Sequence, residues 1–198
     1  MSTDQNAALI IFVKNPQPGR VKTRLAEAIG EREALKVYLK LLDHTWRVTA
    51  DIPEDTHIFY SDFIDDNDRW SDVNHYKHLQ RGRDLGDRMR HAFAKIFNRG
   101  YRKVVIIGSD CLELQSNHIT RAFDILNRFE AVIGPARDGG YYLLGLSRMV
   151  PDVFQNKTWS TDSVFEETIR DFQNKNIIWQ ELPVLKDVDT AWDWEEHL

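Results

Sequence analysis

Four cations, Lys14, Arg20, Lys22 and Arg24, crowd into one short stretch of this sequence, Lys14-Asn15-Pro16-Gln17-Pro18-Gly19-Arg20-Val21-Lys22-Thr23-Arg24. They follow the apolar run Leu9–Val13, and a helical pattern begins at about Lys22. A loop that leaves a buried strand and enters a helix offers free amide N–H groups and the positive end of a helix dipole. Four positive charges beside them suit a polyphosphate. The competing reading is an ordinary solvated basic loop, but these cations are concentrated in a chain whose formal net charge is -5. A second apolar run, Lys103–Ile107, ends in Gly108-Ser109-Asp110-Cys111. A carboxylate beside a polyphosphate is unfavourable unless a cation lies between them. Mg²⁺ meets that need, because it takes one or two protein carboxylates and completes its shell with phosphate oxygens and water. Asp110 could instead cap the following helix, although Ser116 or Asn117 is better placed just ahead of Ile119, Ala122, Phe123 and Leu126. Nothing local lowers the pKa of Cys111, so it reads as a small packing residue and not a nucleophile.

Three further stretches carry weaker signals. Gln80-Arg81-Gly82-Arg83-Asp84-Leu85-Gly86 enters a helix marked by Leu85, Met89, Phe93, Ile96 and Phe97, and its glycines permit close backbone approach to a ligand. Asp138-Gly139-Gly140, ahead of the apolar run Tyr141–Leu146, reads either as a hairpin turn or as amides and a carboxylate offered to sugar hydroxyls. Asp189 precedes a short terminal helix, where it could be an N-cap. The aspartate-dense stretch Asp62–Asp72 lacks the glycine and glutamate of a calcium-binding hand and is expected to be a solvated loop. His75 and His78 are three apart, on opposite faces of a short strand, and so make poor partners for one metal ion.

The elements that must position these residues alternate. Long apolar runs suit strands buried on both faces of a parallel sheet. The recurrence of Leu35, Tyr38, Leu39, Leu42 and Trp46 marks one face of a helix that ends before Pro53. Thr56–Ser61, His75–Gln80, Glu130–Gly134 and Ile177–Leu182 read as further strands, the last at a sheet edge. A helix follows Trp159-Ser160-Thr161, with Thr161 or Asp162 as its cap and Val164, Phe165, Thr168, Ile169 and Phe172 as its apolar face. The 198 residues fit one domain, 1–198, with no linker or repeat. The acidic balance argues against nucleic-acid binding, and no apolar stretch approaches the roughly 20 residues of a membrane span. Met1–Ala8 is polar and unlike a signal peptide, and the lone cysteine excludes an intramolecular disulfide. A cytoplasmic protein is expected.

Taken together, KNPQPGRVKTRL, QRGRDLGDRM, IIGSDC, GPARDGGYYLLGL, WST and DVDT resemble the bacterial glycosyltransferase A, or nucleotide-diphospho-sugar transferase-like, family. That family is related to the molybdenum-cofactor and phospholactate nucleotidyltransferases. The resemblance runs from residue 9 to about residue 194 and implies a three-layer α/β/α sandwich of the Rossmann-like GT-A type with a mostly parallel mixed sheet. By the same resemblance Lys14, Gly19, Arg20, Lys22 and Arg24 form the triphosphate loop, and Gln80, Gly82 and Gly86 meet the nucleobase. Asp110 and Asp189 hold Mg²⁺ or Mn²⁺, and Asp138, Gly139, Gly140 and Tyr141 face the acceptor or sugar. Asp110, Lys22 and Arg24 are the implied catalytic residues. Leu112 stands where the family has a proline, which affects loop stiffness only, and Ala191 and Trp192 replace its Pro-Glu pair, which puts the orientation of Asp189 in question. Three functions remain open on the sequence: nucleotidyl transfer from a nucleoside triphosphate to a small phosphorylated or hydroxyl acceptor, glycosyl transfer from a nucleotide-sugar, and nucleotide binding without turnover. The cationic loop favours the first, since a triphosphate needs more neutralisation than a diphosphate.

Overall fold

The computed structural model describes residues 6–71 and 75–196. Most of the expected N-terminal octet, and Asp72 of the acidic stretch, therefore lie outside the described residues. A seven-stranded sheet runs through the molecule in the order β3-β2-β1-β4-β6-β5-β7. β1 (Ala7–Val13) is central, as its unbroken apolar run requires, and it pairs in parallel with β2 (Asp55–Tyr60) on one side and β4 (Lys103–Ile107) on the other. β3 (His75–Leu79) extends the sheet beyond β2. β5 (Ala131–Pro135) and β6 (Tyr141–Leu146) form a hairpin whose second strand inserts antiparallel between β4 and β5. β7 (Trp179–Glu181) closes the far edge, parallel to β5. The mostly parallel mixed sheet is as expected.

Alternation along β1 divides the core in two. Leu9, Ile11 and Val13 point to a layer with α1 (Thr23–Ile29), α2 (Glu31–Thr49) and α4 (Ser116–Ile125). Ala8 and Ile10 point to a layer with α3 (Leu85–Phe97) and α5 (Val164–Asn174). Each fully buried leucine or isoleucine contributes about 1.5–3 kcal/mol, so both faces fix the register of β1. The strand order reverses between β1 and β4. Their carboxyl ends therefore open the crevice in which sheets of this kind bind ligands.

Several local expectations need correction. The α2 stripe is rotated: Ala34, Val37, Tyr38, Leu41, Leu42 and Thr45 are buried, whereas Leu39 is exposed. The N-caps fall one residue or so from those expected, at Gln115 for α4, Ser163 for α5 and Thr190 for α6 (Ala191–Glu195). Thr190 and Asp193 cap each other reciprocally, so Asp189 is released from that duty. The acidic loop after β2 is not simply solvated. Trp70 is fully buried, and Lys77 pairs with Asp68 at 2.8 Å.

Candidate active site

The basic loop leaves β1 and turns back into α1 at Lys22, whose backbone is left-handed (φ 48°, ψ 49°). That conformation costs a non-glycine residue about 1–3 kcal/mol and persists only where surroundings over-determine it. Here Val21 and Leu25, both buried, clamp the chain on either side. The result turns Lys22 inward. Its side chain is 5% exposed, and its Nζ donates to Asp110 Oδ2 at 3.0 Å and lies 4.0 Å from Asp189 Oδ1. Arg24, two residues on, is 66% exposed and pairs with Asp189 Oδ2 at 2.8 Å. The β1 exit, the β4 exit and the C-terminal loop thus meet at two carboxylates and two cations. Lys14 and Arg20 stay on the solvent side, the latter 3.7 Å from Asp62, and Gly19 is exposed beside them.

Two buried polar residues that sequence reasoning did not single out hold these exits in place. The Tyr38 hydroxyl, from α2, accepts from Lys14 N at 2.8 Å, lies 3.0 Å from Lys14 O and 3.2 Å from Ser109 Oγ, and so ties β1 to β4. The side-chain oxygen of Asn15 accepts from the backbone N–H groups of Asp62 and Phe63, and its amide donates to Phe63 O at 2.9 Å. The exits of β1 and β2 are thereby joined. The DVDT stretch is sewn to the β4 exit in the same manner, with Val188 N donating to Asp110 O at 2.9 Å.

The electrostatics follow from this packing. Burial alone would raise the Asp110 carboxyl, but the charge and hydrogen bond of Lys22, then the charge of Lys14, hold it below the usual carboxylate range. Asp187 has the opposite balance. Burial, followed by the negative charges of Asp110 and Asp138, pushes its carboxyl up to about 8, and its Oδ1 is buried without a hydrogen-bond partner. It is the residue of this site that the motif reading passed over. An orphaned buried oxygen two residues before Asp189 was its signal, and only the fold reveals burial. Burial, then the charge of Asp187, pushes the Cys111 thiol up as well, in keeping with a packing role. Among the described residues no three ligands form a ready-made metal cage. Hard carboxylate oxygens with an unpartnered atom nearby nevertheless fit Mg²⁺ or Mn²⁺ of the kind that borrows phosphate oxygens from its substrate.

The remaining expected residues surround this centre without touching it. Gln80 spends its amide on the carbonyls of Val13 (3.1 Å) and Phe59 (2.9 Å), stitching the ends of three strands and leaving its oxygen near Arg88. Gly82 is exposed beside it, whereas Gly86 is buried under Trp159. A Cβ at Gly86 would lie 2.2 Å from the indole ring. Asp138 is exposed at the hairpin turn and accepts from Gly140 N at 2.9 Å. Gly139 carries the positive φ and presses on the backbone of Asp162, where a Cβ would meet its carbonyl at 2.1 Å. The Tyr141 hydroxyl turns to Met89 Sδ on α3, 3.7 Å away.

Residues 43–161 match the family described as uncharacterized protein conserved in bacteria (DUF2064). The chain belongs to this family. The match includes Asp110 and the Asp138 turn; the basic loop and the DVDT stretch lie outside it. A crystal structure assigned to the nucleotide-diphospho-sugar transferases, from Desulfovibrio desulfuricans G20, is 36% identical and superposes with a TM-score of 0.89 over 96% of this chain and 85% of its own. The 2-phospho-L-lactate guanylyltransferase of Methanocaldococcus vulcanius is 25% identical over 95% of this chain and 83% of its own length. The inositol-1-phosphate CTP transferase of T. maritima, at 12% identity and a TM-score of 0.62 over 94% and 90% of the two chains, shares the fold. The expected kinship with GT-A nucleotide-diphospho-sugar transferase-like proteins is borne out, as is membership of the transferase class of enzymes. Among the described residues no helix is long and apolar enough to cross a membrane.

Proposed function

We propose that the protein, acting as one domain over residues 1–198 in the cytoplasm, transfers a nucleotidyl group from a nucleoside triphosphate to a small phosphorylated or hydroxyl-bearing acceptor. The reading rests on one observation: Asp110, at the end of β4, meets Lys22 at the end of β1, and Lys22 and Arg24 both reach Asp189. The acceptor oxygen attacks the α-phosphorus, the bond to the bridging oxygen breaks, and pyrophosphate leaves. Protein catalysis of such a step is chiefly alignment and charge neutralisation. Mg²⁺ or Mn²⁺, held by Asp110 and Asp189, would supply the positive charge that neutralises the phosphate oxygens. Arg24, with the solvent-facing Lys14 and Arg20 and the amides around Gly19, holds the terminal phosphates. Gln80 fixes the strand ends beside which Gly82 faces the base, with Gly86 and Trp159 packed behind. Asp138 and the Gly139–Gly140 turn face the acceptor, and Tyr141 supports that turn from the core side.

The names of the guanylyltransferase and CTP transferase relatives support this reading. The relative at 36% identity supports a second one, glycosyl transfer from a nucleotide-sugar. Binding of each triphosphate, its diphosphate and its nucleotide-sugars, with and without Mg²⁺, separates the two. The expected result is Mg²⁺-dependent binding that is tighter for one triphosphate than for its diphosphate, with pyrophosphate released when acceptor is added. Equal or tighter binding of a diphosphate or nucleotide-sugar would transfer the assignment to glycosyl transfer. Tight nucleotide binding with no turnover over a broad acceptor panel would reduce the protein to a binding module.

A further inference from the structure

We propose that Lys22 is an internal counter-cation: its ammonium and a divalent metal ion compete for the same carboxylates, Asp110 and Asp189, so that metal binds well only in company with a nucleotide. The inference rests on the metal-dependent reading above and assigns a regulatory part to one residue of that site. Lys22 differs from the other cations of its loop. Arg24 is 66% exposed, and Lys14 and Arg20 face solvent, whereas the Lys22 side chain is 5% exposed and its ammonium contacts Asp110 at 3.0 Å and Asp189 at 4.0 Å. The left-handed backbone at Lys22, clamped by buried Val21 and Leu25, commits it to that direction. The carboxylates themselves remain open, Asp110 at 46% and Asp189 at 41% exposure, so an ion can reach them from the solvent side.

A divalent ion and the Lys22 ammonium seated on the same carboxylate oxygens repel each other strongly at such separations. A bare divalent ion must therefore displace an ammonium whose ion pairs are with those same two carboxylates. A metal–triphosphate complex removes the obstacle, because its phosphate oxygens accept the ammonium that the metal displaces. The device couples metal affinity to nucleotide occupancy, and by reciprocity couples nucleotide affinity to the metal.

Mn²⁺ binding to the full chain without nucleotide, followed by calorimetry, tests this. Lys22→Gln keeps the length of the side chain. Lys22→Gly accepts the left-handed backbone and guards against misfolding of the first variant. Both variants should bind Mn²⁺ about tenfold more tightly than the parent, a change of about 1.4 kcal/mol, while binding the Mn²⁺–triphosphate complex more weakly. In the parent, a non-hydrolysable triphosphate should tighten Mn²⁺, and that gain should shrink in the variants. Equal or weaker Mn²⁺ binding in the folded variants, with the parent still binding Mn²⁺–triphosphate, would overturn the competition and leave the proposed function standing. Failure of parent and variants alike to bind Mn²⁺, with triphosphate present, would overturn both.

Discussion

A buried carboxyl group near other negative charges keeps its proton, and burial, then the charges of Asp110 and Asp138, put Asp187 in that position. Its pKa of about 8 in the folded chain exceeds the value of 3.8 of an ordinary aspartate. The unfolded chain therefore sheds this proton first, and Asp187 withdraws stability as pH rises from about 4 to about 8. Asp187→Asn removes the penalty without changing shape. In chelator, its melting temperature should exceed the parent's by more at pH 8.5 than at pH 5; an equal difference at both values would refute the shifted carboxyl. Arg24 belongs to the opposite class. Its pair with Asp189 is exposed, and such pairs contribute about 0–1 kcal/mol, so Arg24→Gln should barely move the melting temperature. The same change should weaken triphosphate binding by about 1.5–3 kcal/mol, the worth of a charge-assisted bond, as titration calorimetry would read.

At the scale of elements, the chain's periodicities were easier to read than its junctions. β1 and β4 were legible because a strand buried on both faces has no polar residue to disguise it. The α2 stripe came out rotated because Val37 and Leu41 share the i, i+3 and i+4 spacing with Leu35 and Leu39, and only packing chooses between them. Caps slipped by a residue or so because Asp162 stands beside Ser163 and Asp189 beside Thr190, each able to serve, and because the α4 cap is Gln115, outside the usual capping types. Tyr38 was legible only as one member of an apolar stripe, and Asn15 only as a loop residue: the polar work of both lies with partners 24 to 71 positions away. Tyr38→Phe keeps the ring but removes the hydroxyl that binds the β1 exit to Ser109. It should cost about 1–2 kcal/mol in urea unfolding and lower nucleotide affinity as well, since the loop loses its tether. Gly86→Ala should also destabilise, by about 1–3 kcal/mol, because the new methyl enters the Trp159 ring. Retained stability there would mean that Trp159 can withdraw.

Across the whole molecule, the α/β alternation and the motif order pointed to the architecture, but strand order is not written along a chain. The insertion of β6 between β4 and β5 depends on a hairpin folding back on β4, a long-range choice. The loop after β2 misled for a related reason: its aspartates are polar in sequence, yet Trp70 inside it anchors the loop to the core. The sheet also carries an acid-sensitive seam. His57 and His78 face each other across β2 and β3, with ring nitrogens 3.0 Å apart. Burial, then the neighbouring positive charges, pushes their pKa values down to about 3 and about 4. Both pKa values are lowered from 6.5, so the stability they permit is full above that pH and is lost as pH falls towards 4. Thermal melts from pH 7.5 to pH 4.5 should show that loss, and His78→Gln should flatten the slope. A parent curve as flat as the variant's would remove the seam from the account.

The ion pair between Arg24 and Asp189 joins residues 165 positions apart. On a ribosome, the basic loop and β1 emerge long before their acidic partners exist. A nascent chain that has already made β1 to β6 still lacks Asp187 and Asp189. On the proposed function, chemical competence would arrive late in synthesis, after most of the sheet can have formed.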